Sequence, residues 1–188
     1  RQGWQALNRL LHEDRSFSGH EKHMAFLNTG GTRFADISAV SGFDFNEDGR
    51  AISPVDWDFD GDLDIWVTNR TAPRLRFLAN QNENHHHFVA LQLEGTGRSS
   101  NRDAIGARVT VDGAAKLIKT VRAGERFLSQ SSGWLHFGLG QYTKPLTITV
   151  DWPAGGKEIF QGVPPDQFHV LRQGSGKAER WTPPAVAL

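Results

Sequence analysis

Between Asp56 and Asp64 every second residue is an aspartate: Asp56, Asp58, Asp60, Asp62 and Asp64, with Gly61 after the third. Carboxylates at that density repel one another and favour the unfolded chain unless a cation offsets them. Ca²⁺ takes roughly six to eight oxygen ligands, and a loop with acids at its first, third and fifth positions and glycine at its sixth supplies them. Asp56, Asp58 and Asp60 are those acids, Asp62 offers its backbone carbonyl, and Asp64 sits at the ninth position. The twelfth position, where an EF-hand has a bidentate acid, is Val67. No helix is expected next either, because Ile65-Trp66-Val67-Thr68 is β-branched and aromatic and reads as a strand. The expectation is a calcium loop running into a strand; the plainer alternative is a solvated acidic turn. Asp44, Asn46 and Asp48, followed by Gly49, repeat the start of the pattern, but Ile52 stands at the ninth position, so this is a weaker second metal candidate.

The remaining sequence reads as a mainly β protein with one short helix. Trp4, Leu7, Leu10 and Leu11 recur at helical spacing near the N-terminus. Short apolar stretches follow at 24–28, 33–37, 75–78, 88–93, 107–111, 116–121, 134–139, 146–152, 157–163 and 168–172, with turns carrying Gly or Pro among them. Such spacing indicates a sandwich or barrel-like body. Asp112-Gly113 is the strongest hairpin signal. The expected segments are a helix and loop at 1–23, a calcium-binding β region at 24–98, a sandwich-like β domain at 99–173 and an extended tail at 174–188.

Composition narrows the partners. The 188 residues carry 21 basic and 21 acidic side chains, so no net charge favours nucleic acid. No apolar run reaches the length of a membrane-spanning helix, so no membrane insertion is expected. Cysteine is absent and disulfides are excluded. The chain starts at Arg1 and its single methionine is Met24, so a processed product or excised piece, its secretory signal removed, is expected.

Several motifs resemble known families. Phe26-Leu27-Asn28-Thr29-Gly30, Phe34-Ala35-Asp36-Ile37-Ser38 and the stretch 56–68 resemble FG-GAP/VCBS-type repeats, which are propeller blades with a calcium loop between strands. Ser100 to Val109, Arg122-Ala123-Gly124, Phe127 to Ser132, His136-Phe137-Gly138-Leu139-Gly140 and Asp151 to Gly156 resemble an ASPIC/UnbV domain. The pairing resembles the C-terminal part of CRTAC1-like secreted proteins. The resemblance implies propeller-blade-like strands, calcium and an extracellular or cell-surface location. It implies no reaction. A propeller takes roughly four to eight blades, and this length holds one or two beside the second domain, so a closed propeller is excluded. Open strand edges then need covering by the chain itself or by a neighbour.

Other polar clusters have plainer readings. Adjacent histidines entering a strand point to opposite faces, so His85, His86 and His87 do not converge on one ion. His20 and His23 lie in an apparent loop. Ser129, Ser131 and Ser132 lie near His136 but lack a glycine-flanked elbow. Asn101, Arg102 and Asp103 read as an Asx turn clasped by an Arg–Asp pair, with a recognition surface as the alternative. Trp57, Trp66, Trp134 and Trp152 read as core, with sugar stacking as the alternative. The sequence thus points to a secreted, calcium-stabilised binding or assembly module and to no enzyme. Its partner would be protein or glycan at the cell surface, or copies of itself. A structural subunit of a surface polymer and a glycan-active enzyme are the competing readings.

Overall fold

The computed structural model describes residues 2–13, 19–83, 85–124 and 128–184. Phe127 of the family motifs, residues 1 and 14–18 of the expected helix-and-loop segment, and tail residues 185–188 lie outside this description, as do the side chains of Leu7 and Leu11. The fold is mainly β with one short helix, as expected, and no closed barrel or propeller is present among the described residues.

The chain forms two compact units. The first comprises 1–52 and 66–78; the second comprises 53–65 and 79–188. The stretch 98–102 lies within the second.

The first unit opens with α1 (Gln2–His12), whose Trp4 is exposed. β1 (Phe26–Asn28) and β2 (Phe34–Asp36) form an antiparallel hairpin. Its turn is fixed locally: Asn28 Oδ1 accepts the Gly30 N–H, and the Thr29 hydroxyl donates to the Arg33 carbonyl. The hairpin's Phe26, Leu27 and Phe34 are more than half exposed. β3 (Gly49–Val55), β4 (Asp64–Asn69) and β5 (Leu75–Leu78) form a sheet in that order, with residues 53–55 and 64–65 of its strands counted in the second unit. β3 carries Pro54 and lies at the sheet's edge, where a missing N–H is tolerated. Glu47 is the polar centre of the unit. It accepts hydrogen bonds from Arg76 Nε at 2.6 Å, from Arg76 Nη2 and from Asn69 Nδ2 at 3.2 Å. The Arg76 guanidinium also lies 4.0 Å from the Phe45 ring centroid. These bonds to Arg76 hold the Glu47 carboxyl below its ordinary range.

The second unit is built on two four-stranded sheets. Its strands are β6 (His87–Glu94), β7 (Arg108–Asp112), β8 (Lys116–Thr120), β9 (Leu135–Gly140), β10 (Leu146–Asp151), β11 (Lys157–Val163), β12 (Phe168–Arg172) and β13 (Ala178–Trp181). One sheet has the order β11-β10-β7-β8, the other β13-β12-β6-β9, with β12 and β6 parallel. Alternate residues of both sheets enter one core. Val89 and Leu91 of β6, Val109 and Val111 of β7, Phe137 of β9, Ile148 and Val150 of β10, Phe160 of β11 and Leu171 of β12 are buried together. Burying each such side chain stabilises the fold by about 1.5–3 kcal/mol relative to exposure. This is a sandwich. β7 and β8 form the expected hairpin, although Gly113, Ala114 and Ala115 make a three-residue connection rather than a two-residue turn.

β13 is a difference from expectation. Residues 178–181 belong to the stretch expected as an extended tail, yet they pair with β12. Ala178 packs on the core and Trp181 turns to the other face. One inward and one outward contact on four residues give no alternation that stands out in the sequence, and Pro183 and Pro184 beside it suggest an arm.

The outer face of the β13-β12-β6-β9 sheet is not a plain solvent face. Phe88, Ala90 and Phe168 are buried on it, with Phe59, Trp134 and Trp181 packed around them. Phe59 comes from the acidic loop.

The acidic loop as a candidate metal centre

The loop joins β3 to β4 and lies wholly within the second unit. Its backbone is folded around its own carboxylates. Asp56 Oδ2 accepts the Gly61 N–H at 3.0 Å, Asp58 Oδ1 the Asp60 N–H at 3.4 Å, and Asp60 Oδ1 the Asp62 N–H at 2.8 Å. Asp64 is buried, and both its oxygens are used. Oδ2 accepts the Trp57 N–H at 3.1 Å and Oδ1 the Asn80 N–H at 2.8 Å. Asp64 therefore ties the start of the loop to the segment after β5.

Three carboxylates converge. Asp56, Asp58 and Asp60 each offer an oxygen, and all three oxygens lie within 4.8 Å of one another. Asp62 and Asp64 are outside this triad. Asp56 is 8% exposed, and its Oδ1 is buried with no hydrogen-bond partner. Leaving a buried acceptor unsatisfied is costly, and more so for a charged one. Burial, with repulsion from Asp60 and Asp58, pushes the Asp56 carboxyl up to about 7. Burial also raises the Asp60 carboxyl, and Asp58, Asp62 and Asp64 add to it. Both shifts, led by burial and reinforced by neighbouring carboxylates, express one imbalance: the ionised forms are disfavoured where these carboxylates crowd together. A hard cation held by oxygen ligands answers that imbalance.

The sandwich fixes the loop from below. Gly61 has φ +100°, and a Cβ there would lie 2.2 Å from the Phe88 ring. The glycine is needed twice, for the left-handed backbone and for the close approach. His136 of β9 stacks on Phe88 at 5.4 Å between centroids, and its Nε2 is 2.7 Å from the Gly61 carbonyl oxygen. Burial lowers the His136 pKa, so the ring is neutral and donates Nε2–H to that carbonyl. Phe59 packs edge-on against Phe168 at 5.6 Å and against Trp181 at 5.3 Å. Asp56 also borders a cavity of about 110 Å³ whose walls include Lys119, Ser132 and His136. None of Phe59, Phe88, Asn80 and His136 was singled out for this role from the sequence. Gly61 was, as a turn residue.

The second acidic stretch is arranged differently. Asp44 is ion-paired to Lys22 at 2.9 Å. Asp48 is buried, has φ 53°, and accepts the Glu21 N–H at 3.0 Å. Neither joins a metal-holding group among the described residues. His23 is buried nearby with neither ring nitrogen hydrogen-bonded. Asn101 closes a local loop with its side chain, but it bonds Ile105 four residues on rather than two residues on as the expected Asx turn would, and the clasp is not the expected Arg–Asp pair. Asn101 Nδ2 donates to the Ile105 carbonyl and Oδ1 accepts the Ile105 N–H, both at 2.8 Å. A side-chain amide has both a donor and an acceptor, so it closes this loop without Arg102 or Asp103. His87 Nδ1 lies 2.7 Å from Asp166 Oδ2. Of the tryptophans, Trp152 is core and Trp134 belongs to the outer aromatic cluster, whereas Trp57 is 58% exposed and is not core.

Fold and site together define a β-sandwich with an acidic loop seated on the outer face of one sheet. Residues 97–178 match the family described as "ASPIC and UnbV". That stretch contains β7 through β12 and the first residue of β13. No curated protein matches the chain. Among solved structures, the chain is similar to one described as "a putative cell adhesion protein from Bacteroides uniformis ATCC 8492". The identity is 10%, over 88% of this chain and 97% of that one, with a TM-score of 0.28. At that score the similarity carries no structural argument.

Proposed function

We propose that this chain is a calcium-stabilised β protein that works outside the cell as a binding or assembly module. The observation that supports the ion is the buried, unpartnered Oδ1 of Asp56, within a triad whose other members are Asp58 and Asp60. Those three carboxylates and the Asp62 backbone carbonyl are the ligands in this reading, while Asp64 fastens the loop. All the donors are oxygens. That favours Ca²⁺ over Mg²⁺, which is smaller and gives up its water reluctantly. The resemblance of the first part to FG-GAP/VCBS-type repeats, and of the pairing of motifs to the C-terminal part of CRTAC1-like secreted proteins, supports the extracellular location. The more than half exposed Phe26, Leu27 and Phe34 of the β1–β2 hairpin support the assembly half of the reading. No residue is assigned a catalytic role, because the densest acidic cluster is the ion loop itself.

The test is a thermal melt of metal-stripped protein, then of the same protein with Ca²⁺ or Mg²⁺. An ion that binds only the folded state, at one hundred times its dissociation constant, stabilises it by about 2.7 kcal/mol. For a chain of this length that raises the melting temperature by roughly 5–10 °C. Ca²⁺ should restore the melt and Mg²⁺ should restore less. A melt unchanged by stripping and by Ca²⁺ sinks the reading.

A further inference from the structure

Beside the acidic loop, a cavity of about 340 Å³ opens between Phe59, Asp60, Asp166, Gln167, Arg180 and Trp181. That volume lies within the range of small-ligand pockets, roughly 300–1,000 Å³. We infer that this cavity binds a single pyranose residue of a glycan, stacked on the aromatic wall and hydrogen-bonded by the polar one. This rests on the proposed role as a binding module and names the ligand class and its site.

The aromatic wall is pre-organised. Trp181 meets three rings, with centroids at 5.0 Å to Trp134, 5.3 Å to Phe59 and 5.7 Å to Phe168. A ring held on several sides loses little freedom when a ligand stacks on it. Antiparallel pairing of β12 with β13 sets Trp181 directly opposite Phe168.

The polar wall is fixed as well. Asp166 Oδ2 is bonded to His87 and Oδ1 accepts the Phe88 N–H at 3.2 Å, while the Asp166 N–H donates to the Phe88 carbonyl at 2.7 Å. The Asp166 side chain is nevertheless 48% exposed, so lone pairs remain for a ligand. Phe59 and Asp166 both have left-handed backbone, at φ 62° and 57°. Aspartate tolerates that region, but a bulky phenylalanine rarely occupies it. Such strain concentrates at ligand clamps.

Composition of the walls selects the ligand. A cation would face Arg180. An anion would face Asp166, the carboxylate of the wall that no bound ion offsets in this reading. A purely apolar ligand would leave those groups and Gln167 desolvated without partners. A neutral ring with one C–H face and a rim of hydroxyls, each both donor and acceptor, satisfies the whole set.

The experiment is saturation-transfer difference NMR on the full chain with Ca²⁺ present. The probes are the methyl glycosides of glucose, galactose, mannose and N-acetylglucosamine. At least one should show transfer to its ring protons. Transfer should be lost in Trp181→Ala and reduced at least several-fold in Arg180→Ala, an exposed position whose change leaves the aromatic cluster in place. It should persist in Trp4→Ala, on α1. No transfer to any of the four glycosides, or transfer that survives both Trp181→Ala and Arg180→Ala, overturns the inference. A melt insensitive to Ca²⁺, together with transfer that depends on Trp181, would remove the calcium reading and support this one.

Discussion

Replacing Asp56 by asparagine should stabilise the metal-free protein and abolish its response to calcium. The side chain keeps its shape, and an amide oxygen can still accept the Gly61 N–H that Oδ2 accepts now. What disappears is the charge on a buried oxygen that has no partner. Burial and the carboxylates of Asp60 and Asp58 move the Asp56 carboxyl from 3.8 to about 7. That shift corresponds to about 4 kcal/mol against the ionised form. Loop relaxation and water entry in the metal-free chain offset about half, which leaves ~2 kcal/mol at pH 8. The melting temperature of Asp56→Asn in EDTA should then exceed that of the parent by roughly 4–8 °C. With calcium the order should reverse, because the variant lacks the charge that the ion needs.

The pH dependence carries the same sign. Between 3.8 and about 7 the folded chain binds more protons at Asp56 than the unfolded chain does. The contribution of Asp56 to stability is therefore full below 3.8 and is lost as pH rises through about 7. Glu47, held low by Arg76, contributes with the opposite sign, since its share is lost as pH falls. The difference between parent and Asp56→Asn, melted in EDTA across that window, isolates Asp56 and should grow as pH rises. An asparagine variant that melts below its parent in EDTA at pH 8, or that keeps the parent's calcium shift, would refute this account of the loop.

Two further substitutions separate the loop's parts. Asp60→Ala should remove most of the heat of calcium binding in a titration calorimeter. Asp48→Ala should leave that heat nearly intact while lowering stability by about 1–3 kcal/mol, because it loses the bond to the Glu21 N–H and places alanine at φ 53°; equal losses of heat would show that the second stretch also binds. Gly61→Ala should cost at least ~3 kcal/mol, with or without calcium. Its Cβ would lie 2.2 Å from Phe88, and the backbone there is left-handed. A melting temperature within a degree or two of the parent's would contradict the packing of the loop on the sandwich.

The sandwich was legible because its signal is local. Alternation on β6, β7, β9 and β10 puts every second residue into one core, and a period of two survives in the sequence whatever the strand's partner is. β3 was not legible, because Gly49 and Pro54 sit within it and both argue against a strand unless the strand lies at an edge. Of the candidate metal centre, the grouping of Asp56, Asp58 and Asp60 was legible, since charge repulsion within nine residues needs no tertiary information, whereas Asp62 and Asp64, read together with them, stand outside the triad. Its support was not. His136 is 75 positions from the carbonyl it holds, and Phe88 reads as an ordinary strand phenylalanine. Nothing in the acidic run shows that Phe59, written between two aspartates, turns away from them to meet Phe168 and Trp181. Those contacts give the loop its physical meaning. An ion bound by Asp56, Asp58 and Asp60 would order a segment whose Phe59 and Gly61 already rest on the sandwich. The stability it contributes would reach β12, β13 and β9 through Phe59 and His136 rather than through a strand of the loop itself.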